Sequence, residues 1–227
     1  MTLTIDIGNT KIKVAVFEHD TIIEREITDS FGLVENIEKI LKKHKKIRHS
    51  ILSSVSNCPK EAIELLKNKT ELVIITQETK FPFINKYQTP ITLGLDRKVL
   101  VAGAVLKFPK QNCLIIDAGS CITYDFVDAN SNYFGGAISP GIQMRYKALN
   151  NFTAKLPLLE KEYPLQFIGN STNQAIHSGV VSGILFEMEG FITSYLREFE
   201  YLTIILTGGD TDFLAKRLKS TIFANSN

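Results

Sequence analysis

The stretch "TIDIGNTKIKVAVF", from Thr4 to Phe17, decides the fold of this chain. Apolar residues alternate with polar ones on both sides of a short polar turn, which predicts two β-strands joined by a hairpin. The glycine in this turn lets the backbone approach a ligand closely, and Asn9, Thr10 and Lys13 carry groups that bind phosphate oxygens. The turn matches neither of the two common phosphate loops, G-x-x-x-x-G-K-S/T and G-x-G-x-x-G. We therefore expect a nucleotide-binding turn of another type.

The composition is that of an ordinary globular protein. The chain has 227 residues, of which 44% are hydrophobic and 22% charged, and this is enough to bury one large core or two smaller ones. The net charge is only +2. The basic run from Lys42 to His49 has no aromatic residues between its charges, which argues against nucleic acid as a partner.

The cysteines and the apolar runs indicate where the protein works. Cys58, Cys113 and Cys121 are scattered and form no C-x-x-C pair, which is typical of reduced thiols rather than of disulfides or a zinc site. Apolar runs such as Val99 to Leu106 are too short to span a bilayer. We therefore expect a cytoplasmic protein that does not insert into a membrane.

The chain is predicted to contain an internal repeat. The first half starts with three strand-like runs, "LTIDI", "IKVAVFE" and "TIIEREI", and continues with alternating helices and strands. The second half starts this order again at "NCLIIDAGSCITYDFVD", and the pattern I-D-x-G recurs at Asp6 and Asp117, 111 residues apart. A repeat of this length favours two similar α/β domains over a solenoid of short units. We expect domains at residues 1–111 and 112–227.

Three predicted turns rich in small residues follow strands: Gly8 to Thr10, Gly119 to Ser120, and Thr207 to Asp210. In two facing domains these turns can converge on one cleft. Between the last two turns, residues 172–199 are predicted to form one long helix or two abutting helices with an apolar face. Three glycines within this segment indicate either a close helix–helix approach or a kink, namely Gly179, Gly183 and Gly190.

An ATP site built from two hairpin turns and a further pair of glycines resembles that of the superfamily of acetate and sugar kinases, heat-shock 70 proteins and actin. Within this superfamily, the stretch "YQTPITLGLDR", from Tyr87 to Arg97, resembles the type III pantothenate kinases. The stretches "DIGNTKIK", "IIDAGSCIT", "GGAISPG" and "LTGGD" resemble the same family. The resemblance runs from Thr4 to about Asp210.

The resemblance implies both a fold and a reaction. The fold is α/β, with two duplicated ribonuclease H-like domains that face each other across an ATP cleft, as in actin-like ATPases. The reaction is the ATP-dependent phosphorylation of pantothenate to 4'-phosphopantothenate, the first step of coenzyme A biosynthesis. The sequence departs from the family at Ser120 and Cys121, where Thr-Ala is usual, and it ends at Asn227, short of the family's usual final segment.

The resemblance also implies that the three turns hold ATP and its magnesium ion. Lys13 would offset negative charge that develops on the phosphates, and Asp6 would bind magnesium directly or through water. Asp117 would bind the monovalent cation, potassium or ammonium, that the family requires. Without the resemblance, Asp6 would only cap a turn and Lys13 would be exposed. The implied ATP-binding residues are Asp6, Ile7, Gly8, Asn9, Thr10, Lys11, Ile12, Lys13, Ser120, Gly208 and Gly209.

Asp96 is implied as the general base that accepts the proton of the primary hydroxyl group of pantothenate. Taken alone, it would be interpreted as a helix N-cap. Arg97 carries a planar fork that suits a carboxylate, and its alternative role is a surface salt bridge. Tyr87 and Thr172 match family positions that contact pantothenate, and their alternatives are packing and helix capping. The implied substrate-binding residues are Tyr87, Gly94, Leu95, Asp96, Arg97 and Thr172.

Two other functions stay open at this point. One is a kinase of the same fold that acts on another small hydroxylated acid or sugar, and the other is a non-catalytic nucleotide-binding regulator. The stretch from Tyr87 to Arg97 argues against the first. The presence of four residues together argues against the second, namely Asp6, Lys13, Asp96 and Arg97. The resemblance also implies a homodimer, paired through the apolar face between residues 175 and 195, although this face can equally cover its own sheet.

Overall fold

The structure, a computed structural model, describes residues 1–8, 11–220 and 222–224. The chain divides into two compact units. The first consists of Met1–Lys80 and Ile91–Val99, and the second of Phe81–Pro90 and Leu100–Asn227. The predicted domain boundary between residues 111 and 112 marks where the sequence repeat begins again, and it stays a prediction. The compact units do not divide there, because residues 81–90 and 100–111 belong to the second unit.

The stretch that resembles the family's substrate site is shared between the two units. Tyr87 belongs to the second unit, whereas residues 94–97 belong to the first. The two ends of this stretch therefore belong to different compact units.

The first unit is a five-stranded sheet with helices. Its strands lie in the order β3-β2-β1-β4-β5. The strands are β1 (Thr2–Ile7), β2 (Ile12–Glu18), β3 (Thr21–Thr28), β4 (His49–Ser54) and β5 (Glu71–Ile74), and the helices are α1 (Leu33–Lys43) and α2 (Lys60–Lys69). Helix α3 (Leu95–Lys107) begins in this unit and continues into the second.

The second unit is built on a six-stranded sheet with the order β11-β10-β7-β8-β9-β6. Its strands are β6 (Ile84–Asn85), β7 (Asn112–Ala118), β8 (Cys121–Val127), β9 (Asn132–Pro140), β10 (Leu202–Thr207) and β11 (Phe223–Ala224). Its helices are α4 (Ile142–Asn151), α5 (Thr172–His177), α6 (Gly183–Glu198) and α7 (Thr211–Ala215), with a π-helical turn (Ser178–Ser182) between α5 and α6.

The pairing of the strands confirms the predicted repeat. In the first unit, β1 is antiparallel to β2, β2 is antiparallel to β3, and β4 and β5 add in parallel on the other side of β1. In the second unit, β7, β8 and β9 form the same antiparallel meander, and β10 and β11 add in parallel to β7. This is the predicted α/β class with duplicated ribonuclease H-like sheets, and it places Asp6 and Asp117 at equivalent positions near the ends of β1 and β7.

Alternation of side chains along the strands explains the core of the first unit. Every second residue of β1 and β2 is buried, as the period of two in a strand requires. These side chains pack with apolar residues that recur at helical spacing on α1 and α2. The same alternation directs Asp6 to the opposite face of the sheet, away from this core.

The long helical segment of the second unit is part of its core. By length and composition the segment Thr172–Glu198 would also suit a membrane span. Its buried residues, however, pack with β7, β8 and β10 in the main hydrophobic cluster; they are Ile176, Val180, Val181, Ile184, Met188 and Ile192. The predicted irregularity is a π-helical turn. Apart from the adjacent residues and the backbone of the helix itself, a Cβ added at Gly179, Gly183 or Gly190 would meet no atom of the described residues within 4 Å.

Candidate functional site

A row of polar residues crosses the first sheet at the end of β1. Asp6 lies across from Lys13 of β2 and from Ser53 of β4. Residues paired in register project from the same face of a sheet, so these three side chains are neighbours. The Ser53 hydroxyl is buried and has no hydrogen-bond partner among the described residues. The alternative in which Asp6 and Lys13 act separately, as a turn cap and an exposed lysine, does not fit this row.

The electrostatic surroundings of Asp6 suit a cation. Burial raises the pKa of its carboxyl group above the ordinary value of 3.8, Lys13 lowers the pKa, and the charge of Asp96 raises it again. Asp6 and Asp96 therefore influence each other within the first unit. A carboxylate that is costly to ionise binds a cation favourably, because the cation compensates both the burial and the second negative charge.

The donor set around Asp6 fits magnesium bound together with a nucleotide. Within the described residues, no three His, Cys, Asp or Glu side chains come together as a metal-binding group. Mg²⁺ commonly uses one or two protein carboxylates and takes its other oxygen ligands from phosphates and water. A single half-buried carboxylate such as Asp6 is sufficient for this mode.

Asp96 lies in the first turn of α3, where its carboxylate is held against the backbone. The Arg97 N–H donates a hydrogen bond to Asp96 Oδ1 at 2.8 Å. A Cβ at position 94 would lie 2.3 Å from the same oxygen. Only glycine therefore leaves room for this carboxylate, which gives the G-x-D spacing a physical reason. Arg97 is only 5% exposed, so it is not the surface residue that the alternative interpretation assumed.

Asp117 has an equivalent row of neighbours in the second unit, but without a lysine. It lies across from Thr123 of β8 and from Thr207 of β10. The hydroxyl group of Thr123 is buried and has no hydrogen-bond partner within the described part of the chain. Thr123 therefore lies beside Asp117 in the same way as Lys13 lies beside Asp6. Thr123 offers a neutral hydroxyl oxygen, whereas Lys13 offers a positive charge.

Two of the three predicted turns meet within the second unit. The Asp210 N–H donates to the carbonyl oxygen of Ala118 at 2.9 Å. Gly208 has φ +98°, and a Cβ there would lie 2.4 Å from Asp117 Oδ1. The turn after β10 therefore packs directly against the turn after β7, and this approach requires glycine. The third turn, at Gly8, belongs to the first unit.

The motif "GGAISPG" contributes two glycines that the sequence interpretation left without a role. The Gly141 N–H donates to the carbonyl oxygen of Ser120 at 3.2 Å. A Cβ at position 141 would lie 2.2 Å from the carbonyl oxygen of Gly119. At Gly135, φ is +97° and a Cβ would lie 2.6 Å from the ring of Tyr87. These glycines allow close packing against the predicted ATP turn and against the predicted substrate residue.

Tyr87 is held by an aromatic neighbour as well as by this glycine. Its ring stacks on that of Tyr133, with 6.4 Å between the ring centroids. The Tyr133 hydroxyl in turn donates to Asp125 Oδ1 at 2.6 Å, in a fully buried contact. Packing, the alternative interpretation of Tyr87, is therefore part of its role, and it also fixes the orientation of the ring.

The remaining predicted residues differ in what they can offer a ligand. Ile7 and Ile12 are 1% and 4% exposed, so their side chains belong to the core and only their backbones are available. Lys11, Ser120 and Gly209 are exposed, whereas Gly208 is buried. Asn9 and Thr10 lie outside the described residues.

Thr172 is exposed in the first turn of α5. The cap of this helix is Ser171, whose hydroxyl oxygen accepts a hydrogen bond from the Gln174 N–H. Thr172 therefore does not act as the helix cap that its sequence position suggested. Its predicted role in substrate binding stays a prediction.

The raised pKa of Asp6 predicts a gain in stability for Asp6→Asn. A carboxyl group whose pKa is raised in the folded chain destabilises the fold as the pH rises above 3.8, the ordinary value, and the loss is complete once the pH exceeds the raised pKa. At pH about 7 the amide should raise Tm by about 2–4 °C, the shift that about 1 kcal/mol produces in a protein of this size. Near pH about 4 the difference should shrink.

Thermal unfolding followed by circular dichroism at both pH values measures this difference. Asp20→Asn is a matched control, because Asp20 is exposed on the same sheet's β2–β3 turn. A lower Tm for Asp6→Asn than for the wild type at neutral pH would show that Asp6 is stabilising as a carboxylate.

Comparison with known proteins identifies the family. The family model described as type III pantothenate kinase matches residues 2–194. A type III pantothenate kinase of Flavobacterium psychrophilum is 56% identical over 227 residues, which cover 100% of this chain and 94% of that protein. The related protein of Bacteroides fragilis strain YCH46, also named type III pantothenate kinase, is 41% identical over 226 residues, 99% of this chain and 92% of its own.

Among solved structures, a protein from Campylobacter jejuni assigned to the Baf family of transcriptional activators is 25% identical, with a TM-score of 0.61, covering 99% of this chain and 90% of its own. Residues 2–194, which the family model matches, contain every predicted site residue except Gly208 and Gly209. By this match and by the identity to its relatives, the chain belongs to the type III pantothenate kinase family.

Proposed function

We propose that this protein transfers the γ-phosphoryl group of ATP to the primary hydroxyl group of pantothenate, which forms 4'-phosphopantothenate in the first step of coenzyme A biosynthesis. Membership of the family implies ATP, a divalent metal ion and pantothenate as the reaction's components. The observation that carries the proposal is the carboxylate of Asp96, held at the start of α3 by the Arg97 N–H and by the space at Gly94.

Asp96 and Arg97 would act on the acceptor. The Asp96 carboxylate orients the hydroxyl group of pantothenate and accepts its proton as the oxygen attacks. Because the transferred phosphoryl group is loosely bonded in the transition state, orientation contributes as much as proton removal. The Arg97 guanidinium, which is largely buried, would bind the carboxylate of pantothenate through its planar fork. Tyr87 and Thr172 would complete the contacts to the acceptor.

Asp6, Lys13 and the glycine turns would act on ATP. Magnesium, when bound, neutralises the charge of the phosphate oxygens, and the carboxylate of Asp6 would hold it. Lys13, beside Asp6 on the sheet, offsets charge that develops on the phosphates during transfer. In the second unit, the backbones of Gly208, Gly209 and Ser120 would approach the nucleotide at the packed pair of turns.

The second candidate function, a nucleotide-binding regulator without turnover, is supported by the assignment of the Campylobacter jejuni protein as a transcriptional activator. A third, phosphorylation of another small hydroxylated acid or sugar, is possible for any kinase of this fold. A coupled assay of ADP release, run in potassium with pantothenate and with a panel of hydroxy acids and sugars, separates the three. A pantothenate kinase releases ADP when pantothenate is the acceptor and not with the other compounds. A kinase for another substrate releases ADP with one of those compounds, and a regulator releases it with none.

The three cysteines support a cytoplasmic location. Cys58, Cys113 and Cys121 are free thiols in the structure. Burial raises the pKa of Cys113 to about 11, so it stays protonated at neutral pH. Free thiols of this kind are typical of a reducing compartment. We therefore place the enzyme in the cytoplasm, where ATP is also available.

The role of Asp96 predicts that Asp96→Asn lowers kcat by about 10²- to 10⁴-fold while ATP still binds, the range expected when a positioned base is lost. The ADP-release assay measures kcat, and calorimetry measures ATP binding. Glu61→Gln is the control, because Glu61 is an exposed carboxylate in the first turn of another helix, α2. Near-normal turnover of Asp96→Asn would contradict the assignment.

In the same assay, Arg97→Lys should raise the KM for pantothenate most, because lysine keeps the charge but loses the planar fork. The side chain is buried, so lysine is a gentler replacement than alanine. An effect on the KM for ATP alone would assign Arg97 to the nucleotide instead.

Asp117 is proposed to bind potassium or ammonium. Its neighbours on the sheet are the hydroxyl groups of Thr123 and Thr207, which are neutral oxygen ligands. A monovalent cation held by Asp117 and these oxygens would screen the repulsion between the carboxylate and the ATP phosphates. The contrast with Asp6, which has Lys13 in the corresponding place, supports different roles for the two aspartates.

This proposal predicts that the rate falls on the order of tenfold, about 1.4 kcal/mol of transition-state stabilisation, when sodium replaces potassium. Thr123→Val should weaken the response to potassium, because it removes a ligand oxygen and keeps the shape. Steady-state rates in chloride salts of potassium, ammonium and sodium test both. Equal rates in sodium and potassium, with Asp117→Asn still active, would leave Asp117 a structural residue.

A homodimer is proposed through α6. Phe186 on this helix is 61% exposed, and Gly183 and Gly190 leave open space where side chains would stand. A second copy of the helix can approach such a surface closely, with Phe186 buried in the contact. The apolar face predicted from the sequence packs largely in the core of its own unit, so the proposed contact uses a different face of α6, on which Phe186 lies beside Phe167.

Sedimentation at micromolar concentration should then give twice the 25.4 kDa of one chain. Phe186→Asp should give a monomer, because it would bury a charge in the contact. Phe31→Asp is the matched control, since Phe31 is 95% exposed in the first unit. A wild-type monomer at this concentration would contradict the proposal.

A further inference from the structure

The side chain of Gln77 forms hydrogen bonds on both sides of the segment that carries the proposed base, and we call this pair of hydrogen bonds the bracket. Gln77 Nε2 donates a hydrogen bond to the carbonyl oxygen of Leu93 at 3.1 Å, and Gln77 Oε1 accepts one from Lys98 Nζ. Leu93 directly precedes residues 94–97, and Lys98 directly follows them. The single amide group of Gln77 therefore holds the chain on both sides of "GLDR". All of these residues belong to the first unit.

Gln77 is itself fixed to the sheet that carries Asp6. It lies in a turn closed by two hydrogen bonds, from the Thr76 N–H to Thr79 Oγ1 at 2.9 Å and from the Thr79 N–H to the Thr76 carbonyl oxygen at 3.2 Å. Just before this turn, the Ile75 N–H donates to the carbonyl oxygen of Leu52 on β4 at 2.8 Å. Since β4 pairs with β1, the turn joins the start of α3 to the strand of Asp6.

Lys98 is an unusual residue at its position. It is only 5% exposed, and its ammonium group donates a hydrogen bond to the neutral amide of Gln77. The one carboxylate on which its charge acts among the described residues is that of the exposed Glu78. A buried ammonium group is costly unless it is well paired, and an apolar residue of similar size would often be more stable there. Because an exposed carboxylate such as Glu78 offsets little of this cost, the stability of the fold alone does not account for a lysine here, whereas the hydrogen bond to Gln77 gives it a positioning role.

The bracket acts directly on the carboxylate of Asp96. The bond to Leu93 fixes the peptide that leads into Gly94, and the Cα of Gly94 is the surface against which Asp96 Oδ1 rests. On the other side, the Lys98 N–H donates to the Gly94 carbonyl oxygen at 3.3 Å, so the backbone closes the same turn. A shift of Leu93 or Lys98 would move the carboxylate.

We propose that Gln77 and Lys98 are positioning residues for phosphoryl transfer, which hold the Asp96 carboxylate and the Arg97 guanidinium in their working orientation. The proposal rests on the proposed role of Asp96 as the base. A misplacement of about 1 Å in a catalytic group can cost about 100-fold in rate, so a bracket of two hydrogen bonds is sufficient to matter.

The first test is Gln77→Ala, with kcat and the two KM values measured by ADP release. Gln77 is exposed, so the variant should fold. We expect kcat to fall by about 5- to 30-fold, within the range for a displaced catalytic group, and the KM for ATP to change by less than about 2-fold. Asn68→Ala is the matched control, because it removes another exposed amide of the first unit, on α2.

The second test is Lys98→Met, which keeps the length of the side chain and removes the charge. We expect Tm to stay the same or rise, because a buried ammonium group is lost, while kcat falls as in Gln77→Ala. A purely structural lysine would lower Tm and kcat together. Lys107→Met in the last turn of the same helix is the control for the loss of a lysine.

A double-mutant cycle decides whether Gln77 acts through Asp96. In the Asp96→Asn background, Gln77→Ala should lower the remaining rate by less than about 2-fold, because the group it positions is already lost. If Gln77→Ala lowers the rate by the same factor in both backgrounds, or has a normal kcat, the positioning role of Gln77 is wrong. The role of Asp96 as the base would be unaffected by either result. A normal rate for Asp96→Asn would contradict both the role of Asp96 as the base and the positioning role of Gln77 and Lys98.

Discussion

The period of two in a β-strand is the constraint on which the rest of this structure depends. In β1, the alternation that buries isoleucine on one face directs Asp6 to the other. Strand β7 is buried on both faces, and Asp117 takes a half-buried position near its end. Asp6 and Asp117 are therefore not placed by loops but by the strands that also form the two cores. A shift of one residue in the register of β1 would turn Asp6 towards the core and the buried isoleucines away from it.

The two aspartates have different neighbouring side chains, which gives their carboxylates different electrostatic surroundings. Beside Asp6, the adjacent strands supply a lysine and a buried serine hydroxyl, and a second carboxylate, Asp96, also acts on its pKa. Beside Asp117, the corresponding strands supply two threonines. The duplicated sheet thus has one carboxylate position in each half with a different charge beside it, and this difference is the basis of the proposal that the two aspartates bind different cations.

Glycines turn these strand ends into sites by letting other groups come close. Gly94 leaves room for the carboxylate of Asp96, Gly208 for that of Asp117, and Gly135 for the ring of Tyr87. In each case a methyl group would occupy the space of a proposed functional side chain. These glycines serve close packing, whereas those at positions 179, 183 and 190 face open space on the helical segment.

Local pattern was enough to predict the longer strands, the repeat and the aspartates, because alternation and spacing are properties of adjacent residues. It missed α4, and the two-residue strands β6 and β11, because those strands are too short to show a period. The sequence motifs also named Asp96 and Arg97, through the family that they resemble. Only tertiary structure showed what surrounds them. Parallel pairing brings Ser53 beside Asp6, and a turn brings Gln77 to Leu93 and Lys98. Such contacts join residues that are far apart in the chain, and no local period encodes them.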